Sequence, residues 1–168
     1  MNEVEMVHMR ILGLIFDPNL NSTVIVLLDP QRERVLPIRI GSLEGNAIAL
    51  GLKKVSTPRP MTHDLIRNVL DEFHGKVTKV VVTELKDDTF YAIIDLSVEG
   101  KSLKIDSRPS DAIALAVRVE APIYCTEQLL REAADFGLLR HREEFDDSEE
   151  LEQWLKKLEE DDFGKYRM

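Results

Sequence analysis

The sequence predicts an α+β fold, in which internally duplicated strand–helix–loop–helix units pack on mostly antiparallel or mixed strands. Three observations predict this class: short β-branched runs between turns, alanine-rich segments with helical spacing, and a segment that occurs twice. Residues 34–70 resemble residues 101–133, and Asn46-Ala-Ile-Ala-Leu matches Asp111-Ala-Ile-Ala-Leu. A chain of 168 residues is long enough for one compact domain with its own core.

Six strands are predicted from runs that are rich in β-branched and aromatic residues and bounded by turn sequences. The first three are separated by DPNLNS and DPQRER, and the next two are joined by KDD, which is typical of an antiparallel hairpin. The predicted strands are Arg10–Phe16, Thr23–Leu28, Arg34–Ile40, Lys76–Leu85, Thr89–Val98 and Ser102–Asp106.

Four helices are predicted between and after these strands. The segments that start at Ser42 and Arg108 are so rich in alanine, isoleucine and leucine that both helices should be largely buried. Ser107 is a candidate cap for the second of them, whereas Thr62 and Thr126 are candidate N-caps for the two amphipathic helices. The duplication predicts that the two buried helices lie side by side, with their N-termini opening towards a shared region.

The formal charge of −9 is distributed unevenly. Residues 143–168 contain eleven acidic and four basic residues, which leaves twenty acidic and eighteen basic residues in residues 1–142. We therefore predict a nearly neutral domain over residues 1–142 and an acidic amphipathic helix over residues 143–168. The helix would dock on the domain or contact a partner through Leu151, Trp154 and Leu158. A neutral domain lacks the strongly basic surface of typical nucleic-acid binders but permits a local basic groove.

The sequence predicts a cytoplasmic protein without a membrane partner. No apolar run approaches the roughly 18 residues that span a bilayer, and the N-terminal residues include acids where a secretory signal would be basic. The single cysteine, Cys125, excludes an intramolecular disulfide and a cysteine-rich zinc site. The chain lacks glycine-rich phosphate or dinucleotide motifs, so no organic cofactor is expected.

Candidate catalytic side chains gather where the predicted helices begin. Glu44, Asp106 and Asp111 are candidate metal ligands or water-positioning carboxylates, for Mg²⁺ or Mn²⁺. His63, which should be accessible, is the candidate general base, with Asp64 beside it. Such a set would suit hydrolysis of phosphodiester bonds in DNA or RNA.

Candidate phosphate-binding side chains lie in the same segments. Arg59 and Arg108 would bind phosphate bidentately, and Ser110 lies at a helix N-terminus, which favours anions. The alternative is structural, because Asp64 and Asp111 stabilise a first helical turn without any function and can pair with these arginines. The sequence therefore leaves two hypotheses open: a nuclease, and a non-enzymatic anion-binding or regulatory and dimerisation module.

Tyr91 raises a second question, because it alternates with apolar neighbours and shares a predicted strand face with Thr89 and Asp95. It is either an ordinary half-buried strand tyrosine or a ring on which a nucleic-acid base stacks.

Four segments together resemble, in order and spacing, the bifunctional nuclease domain family. They are LPIRIGSLEGNAIAL, PRPMTHDLI, DDTFYAIIDL and IDSRPSDAIALAV, within a resemblance that covers residues 6–139. The resemblance implies an α+β fold with internally duplicated units, a homodimer, and nuclease activity on both DNA and RNA, as in plant relatives. The residue roles given above depend on the cluster of side chains and not on the family.

Overall fold

The computed structural model describes residues 3–141, 149–150 and 153. Within residues 3–141 the chain forms four helices and eight strands. The helices are α1 (Ser42–Leu52), α2 (Thr62–Glu72), α3 (Pro109–Val119) and α4 (Glu127–Asp135). The strands are β1 (Met6–Asp17), β2 (Ser22–Asp29), β3 (Arg34–Gly41), β4 (Gly75–Lys86), β5 (Thr89–Val98), β6 (Lys101–Ser107), β7 (Ile123–Thr126) and β8 (Arg140–His141).

All eight strands belong to one mixed sheet, in the order β6-β5-β4-β7-β1-β2-β3-β8. The pair β4–β7 is parallel, and the other neighbours in the sheet are antiparallel. This architecture confirms the predicted α+β class and all six predicted strands. Strands β7 and β8 are not predicted from the sequence.

Strand β7 joins two antiparallel groups of strands into a single sheet. Ile123 pairs with Val80 of β4 on one side and with Met9 of β1 on the other. Cys125, on the same strand, is completely buried, and this burial raises the pKa of its thiol to about 12. Cys125 therefore behaves as a small buried hydrophobic residue.

The core cluster includes residues between the sheet and the helices, and also consecutive residues of β2 that face both sides of the sheet. Strand β2 is buried along its whole length, and α3 buries the five consecutive residues Ala112–Ala116, which confirms the predicted burial of α3. The same prediction for α1 is wrong, because α1 buries only Gly45 and Ile48 and leaves Leu43 80% exposed. Helix α1 lies close to β2 at Gly45, where a Cβ would come within 2.5 Å of the side chain of Thr23.

The internal duplication is not confirmed. The order strand, helix, helix occurs both in β3–α1–α2 and in β6–α3–α4, and α1 packs against α3. The two connections differ, however, because β7 lies between α3 and α4, whereas residues 53–61 between α1 and α2 contain no strand.

One of the three predicted helix caps is confirmed. The Oγ1 of Thr126 accepts a hydrogen bond of 3.1 Å from a backbone amide in the first turn of α4. The N-cap of α2 is Met61 and not Thr62, and the N-cap of α3 is Arg108. Ser107 does not cap α3, because its hydroxyl donates to the carbonyl oxygen of Arg108.

The predicted acidic helix over residues 143–168 falls almost entirely outside the described residues, and so do Leu151, Trp154 and Leu158. Its docking therefore stays a prediction, as does the cytoplasmic location. In the part of the chain that the structure describes, no helix is long and apolar enough to cross a membrane.

A buried ion-pair network ties the β2–β3 hairpin to the start of α4. Arg34 donates to both carboxylate oxygens of Glu127, at 2.8 and 2.9 Å, and through Nε to Asp29 at 3.0 Å. The three side chains are at most 8% exposed. The hydrogen bond with Arg34 lowers the pKa of Glu127, so the carboxylate stays charged in the folded protein.

We predict that Glu127→Gln lowers the free energy of unfolding by about 3 kcal/mol, because it leaves the buried Arg34 short of a counter-charge. Stabilisation from a lowered carboxylate pKa is present above the ordinary value of 4.5 and is lost as pH falls through the lowered pKa. The difference in the free energy of unfolding between wild type and Glu127→Gln should therefore become smaller below pH 4.5. Urea denaturation across a pH series measures this difference.

The control is Lys54→Gln, which breaks a surface ion pair with Glu120, in which both side chains are 77% exposed. Exposed pairs contribute little, so this variant should unfold like wild type. If Glu127→Gln also unfolds like wild type, the network does not stabilise the fold as described.

Candidate functional site

The N-termini of α1 and α3 meet at the guanidinium group of Arg108. Its Nε and Nη2 donate to the two carboxylate oxygens of Asp111, at 2.7 and 3.1 Å, and its Nη1 donates to Glu44 on α1 at 3.1 Å. Arg108 occupies this position because it is the N-cap of α3, with an extended backbone, and Pro109 at the first helical position fixes the turn from β6. The predicted approach of the two helix starts is therefore observed.

Helix α2 adds a histidine to the same carboxylate. The Nε2 of His63 lies 2.9 Å from the Oδ1 of Asp111. The prediction that His63 is accessible is wrong: only 7% of the residue is exposed, because α2 packs against α3 at this point. Asp111 thus joins a buried imidazole to a half-exposed guanidinium group.

The electrostatics of this cluster keep Asp111 ionised. Partial burial acts to raise the pKa of Asp111, but the hydrogen bonds from Arg108 and His63 and the positive charge of Arg108 outweigh it and lower that pKa. The hydrogen bond to Asp111 in turn raises the pKa of Arg108 against the opposing effect of burial, and Glu44 adds to the rise. Both groups are therefore charged across the physiological pH range.

Asp64 belongs to a neighbouring contact that holds α2 on α3. Its carboxylate accepts a hydrogen bond of 2.9 Å from Arg118 and one of 3.0 Å from the backbone amide of Met61 at the start of α2. Burial acts to raise the pKa of Asp64, but these hydrogen bonds outweigh it and lower that pKa. Capping and ion pairing account for Asp64, as the structural alternative proposed.

A pocket of about 360 Å³ opens beside the cluster. It has a polar side, formed by residues of α2 and α3, and an apolar side, formed mainly by α1. The lining residues are Leu43, Glu44, Asn46, Ala47, Leu50, Met61, Thr62, His63, Arg108, Asp111 and Arg118.

Besides Asp64, three candidate side chains lie apart from this pocket. Asp106 is exposed on β6, Arg59 is exposed in the loop before α2, and neither lines the pocket. Ser110 is only 1% exposed, and its Oγ has no hydrogen-bond partner among the described residues. Arg59 and Ser110 therefore do not join Arg108 in a phosphate clamp in this structure.

The cluster does not have the donor set of a metal site. Among the described residues, no three histidine, cysteine, aspartate or glutamate side chains are grouped so that they could hold a metal ion. Asp106 lies outside the pocket, and the guanidinium of Arg108 lies between Glu44 and Asp111, where a cation would have to bind. The arrangement does not fit Mg²⁺ or Mn²⁺, and metal dependence stays a prediction.

The sequence analysis missed Arg118, which lines the pocket and is almost fully buried. Its Nη1 donates to the carbonyl oxygen of Ala114 at 2.7 Å while its Nε binds Asp64. The signal was present, because Arg118 follows Asp111 by seven residues, or two helical turns, and so lies on the same face of α3.

Comparison with known proteins adds independent information. Residues 25–136 match the family model of the bifunctional nuclease domain. Two uncharacterized proteins of Mycobacterium tuberculosis are 36% identical over 165 residues, which cover 93% of this chain and 97% of theirs. Bifunctional nuclease 1 of Oryza sativa subsp. indica is 23% identical over 63% of this chain, and Bifunctional nuclease 2 of Arabidopsis thaliana is 26% identical over 65%. The aligned segments span 33% and 34% of these plant proteins.

We predict that Asp111→Asn lowers the free energy of unfolding by about 1–2 kcal/mol at neutral pH, because Arg108 and His63 lose a charged acceptor. The pKa of Asp111 is lowered, so its contribution is present above the ordinary value of 3.8 and disappears as pH falls through the lowered value. Thermal unfolding at neutral pH and below pH 3.8 measures the difference.

Asp106→Asn is the matched control, since it makes the same chemical change at an exposed position outside the pocket. It should leave stability unchanged at both pH values. Equal effects of the two variants would contradict the role given to Asp111.

Proposed function

This chain belongs to the bifunctional nuclease domain family, and we propose that it hydrolyses phosphodiester bonds of DNA or RNA in the pocket beside α1, α2 and α3. The proposal depends on one observation: the carboxylate of Asp111 holds a histidine and an arginine together at the wall of that pocket. A general base and a cationic group that stabilises charge on the phosphoryl oxygens are two contributions that a protein makes to phosphoryl transfer.

His63 is the general base of this proposal. A carboxylate that accepts a hydrogen bond from one ring nitrogen fixes the orientation of the imidazole. Asp111 does this at 2.9 Å, and His63 lines the pocket. The imidazole would remove the proton from the attacking water, or from the 2′-hydroxyl group when the substrate is RNA, as that oxygen bonds to phosphorus. The P–O bond to the leaving sugar oxygen breaks, and that oxygen takes a proton from solvent.

Arg108 is the phosphate clamp. A guanidinium group has five N–H donors, of which three donate to Asp111 and Glu44. Two N–H groups, one on each Nη, remain for a phosphate, and the side chain is 51% exposed. Because the carboxylates hold the guanidinium in place, it would neutralise charge on the phosphoryl oxygens without a large reorganisation.

A second pocket supports a polymeric substrate. It has a volume of about 490 Å³ and shares Leu50, Met61 and Arg118 with the first. Its lining has three basic residues (Lys54, Arg67 and Arg118) against two acidic ones (Asp64 and Glu120), which pair with Arg118 and Lys54. Adjoining pockets of this size would hold consecutive nucleotides of one strand.

We predict that His63→Gln slows cleavage by about 10²–10⁴-fold, the usual contribution of a general base. The assay uses highly purified full-length protein with labelled single-stranded DNA and RNA, in separate reactions with Mg²⁺, Mn²⁺ or a chelator. Arg108→Lys should also slow cleavage, because lysine lacks the bidentate geometry.

His74→Asn is the matched control, because His74 is exposed at the end of α2 and lies outside the pocket. It should cleave like wild type. Cleavage that survives His63→Gln and Arg108→Lys would place the activity elsewhere or in a contaminant. Binding without cleavage by the wild type would favour the non-enzymatic anion-binding module.

We also propose that the chain forms a homodimer through α2. Leu65, Val69 and Phe73 follow one another at four-residue intervals and form a stripe on the helix surface. These side chains are 56%, 46% and 70% exposed, although the sequence pattern is that of a buried helix face. Exposed apolar patches of this kind mark interaction sites, and a second copy of α2 offers a matching surface.

We predict that Val69→Glu converts a dimer into a monomer, because it places a charge in the centre of the apolar stripe. Light scattering after gel filtration gives the molar mass of each variant. Leu20→Glu, at a 50%-exposed leucine in the β1–β2 turn, is the control and should stay dimeric. A monomeric wild type, or a dimeric Val69→Glu variant, would contradict the proposed interface.

A further inference from the structure

The sheet carries a continuous row of side-chain contacts on the face that lies away from the core. The row crosses the five neighbouring strands β1, β7, β4, β5 and β6. The rings of His8 and Tyr124 pack edge to face at 5.4 Å, and the ammonium group of Lys79 lies 6.0 Å from the centre of the Tyr124 ring. The carboxylate of Asp95 then pairs with Lys79 at 3.6 Å and with Lys104 at 2.8 Å.

The alternation of side chains along β5 places Tyr91 on the same face. Phe90 and Ala92 belong to the core cluster, whereas Tyr91 and Asp95 point the other way because neighbouring residues of a strand face opposite sides. Tyr91 is 37% exposed, so an edge or a face of its ring is accessible to a ligand.

The charge of this face is positive at one end. Lys76 lies directly opposite Ser97, two residues beyond Asp95, so it joins Lys79 and Lys104 on this face. Lys79 and Lys104 pair with the carboxylate of Asp95, and Lys76 lies further along the same face. Asp95 is 7% exposed and is already paired, whereas Lys104 is 67% exposed, so at this end the accessible charge is that of the lysines. Towards Tyr91 the same face carries the exposed carboxylate of Asp106, which lies opposite Ile93.

We propose that this face, which we call the outer sheet face (Lys76, Lys79, Tyr91, Lys104 and Tyr124), binds single-stranded nucleic acid outside the catalytic pocket. One base stacks on the ring of Tyr91, and phosphates lie along the three lysines. Flat sheet surfaces with exposed aromatic rings and nearby cations bind single strands in this way.

The position of Tyr91 connects the outer sheet face to the pocket. Its neighbour Ala92 pairs with Ser107, the residue that precedes Arg108. Glu84 of β4 lies opposite Tyr91 of β5 in the register of the sheet. Its acidic side chain repels phosphates from the Tyr91 end of the face and directs them towards the lysines. A strand that leaves the pocket at Arg108 would pass the edge strand β6 to reach Tyr91.

The inference rests on the proposed function only in its choice of ligand, and binding tests it separately from cleavage. The full-length protein is titrated, in the presence of a chelator, against a fluorescein-labelled single-stranded DNA of about twenty nucleotides. Tyr91→Ala should weaken binding about fivefold or more, as loss of one stacked base does. Tyr91→Phe keeps the ring and should bind within about twofold of wild type.

Charge is tested by Lys104→Gln. This variant should weaken binding and make the slope of log affinity against log salt less steep by about 0.7, the value for one phosphate contact to a single strand. Phe16→Ala removes a 58%-exposed aromatic ring from the part of β1 that pairs with β2, and it should bind like wild type.

A dinucleotide substrate separates this inference from the proposed function. Its single phosphodiester lies in the pocket when it is cleaved, so Tyr91→Ala should cleave it as fast as wild type does. Binding that depends on Tyr91 and Lys104 supports the inference even if the wild type cleaves nothing. Unchanged binding by both variants, or no binding by the wild type, overturns it even if cleavage is observed.

Discussion

The parallel pairing of β7 with β4 is the constraint on which the rest of the structure depends. Without these four residues, β6-β5-β4 and β1-β2-β3-β8 would be two separate antiparallel groups. Parallel strands need a long crossover connection, and here β5, β6 and α3 supply it. Helix α3 therefore packs against β4 and β5, and its alanines let it approach them closely. The buried pair of Arg34 and Glu127 fixes the chain directly after β7.

The crossover also explains why charges lie at the start of a buried helix. The chain leaves the edge strand β6 and turns at once into α3, so Arg108 and Asp111 stay near the surface while the next residues enter the core. The two carboxylate oxygens of Asp111 form hydrogen bonds with Arg108 from the turn and with His63 from α2. Its negative charge also suits the positive end of the helix dipole. Structural and functional explanations of Asp111 are thus compatible, because the contacts that stabilise the helix start also orient His63 and Arg108.

The sequence predicts the local features of this fold and misses those that depend on distant contacts. Alternation defines β5, and the repeated Ala-Ile-Ala-Leu segment leads to the contact of Glu44 with Arg108 across 64 positions. Strand β7 was missed because four residues after a proline are too few to show alternation, and its pairing is long-range. The burial of α1 was overestimated because an apolar composition does not show how much of the helix surface packs against other elements. The accessibility of His63 was misjudged for the same kind of reason, since only the packing of α2 on α3 covers it.

The near-neutral charge of residues 1–142 limits how this domain can recognise nucleic acid. Twenty acidic and eighteen basic residues give no strong overall field, so long-range attraction of a polyanion is weak. Affinity must then come from a few local contacts, where lysines or arginines outnumber the acids beside them. The lysines around Asp95 are such a place, whereas Arg108 lies between two carboxylates and offers a phosphate the two N–H groups that these carboxylates leave free. Few phosphate contacts imply that the affinity depends only weakly on salt concentration. Stacking on a ring such as Tyr91 then accounts for a larger share of the binding free energy than in a strongly basic protein.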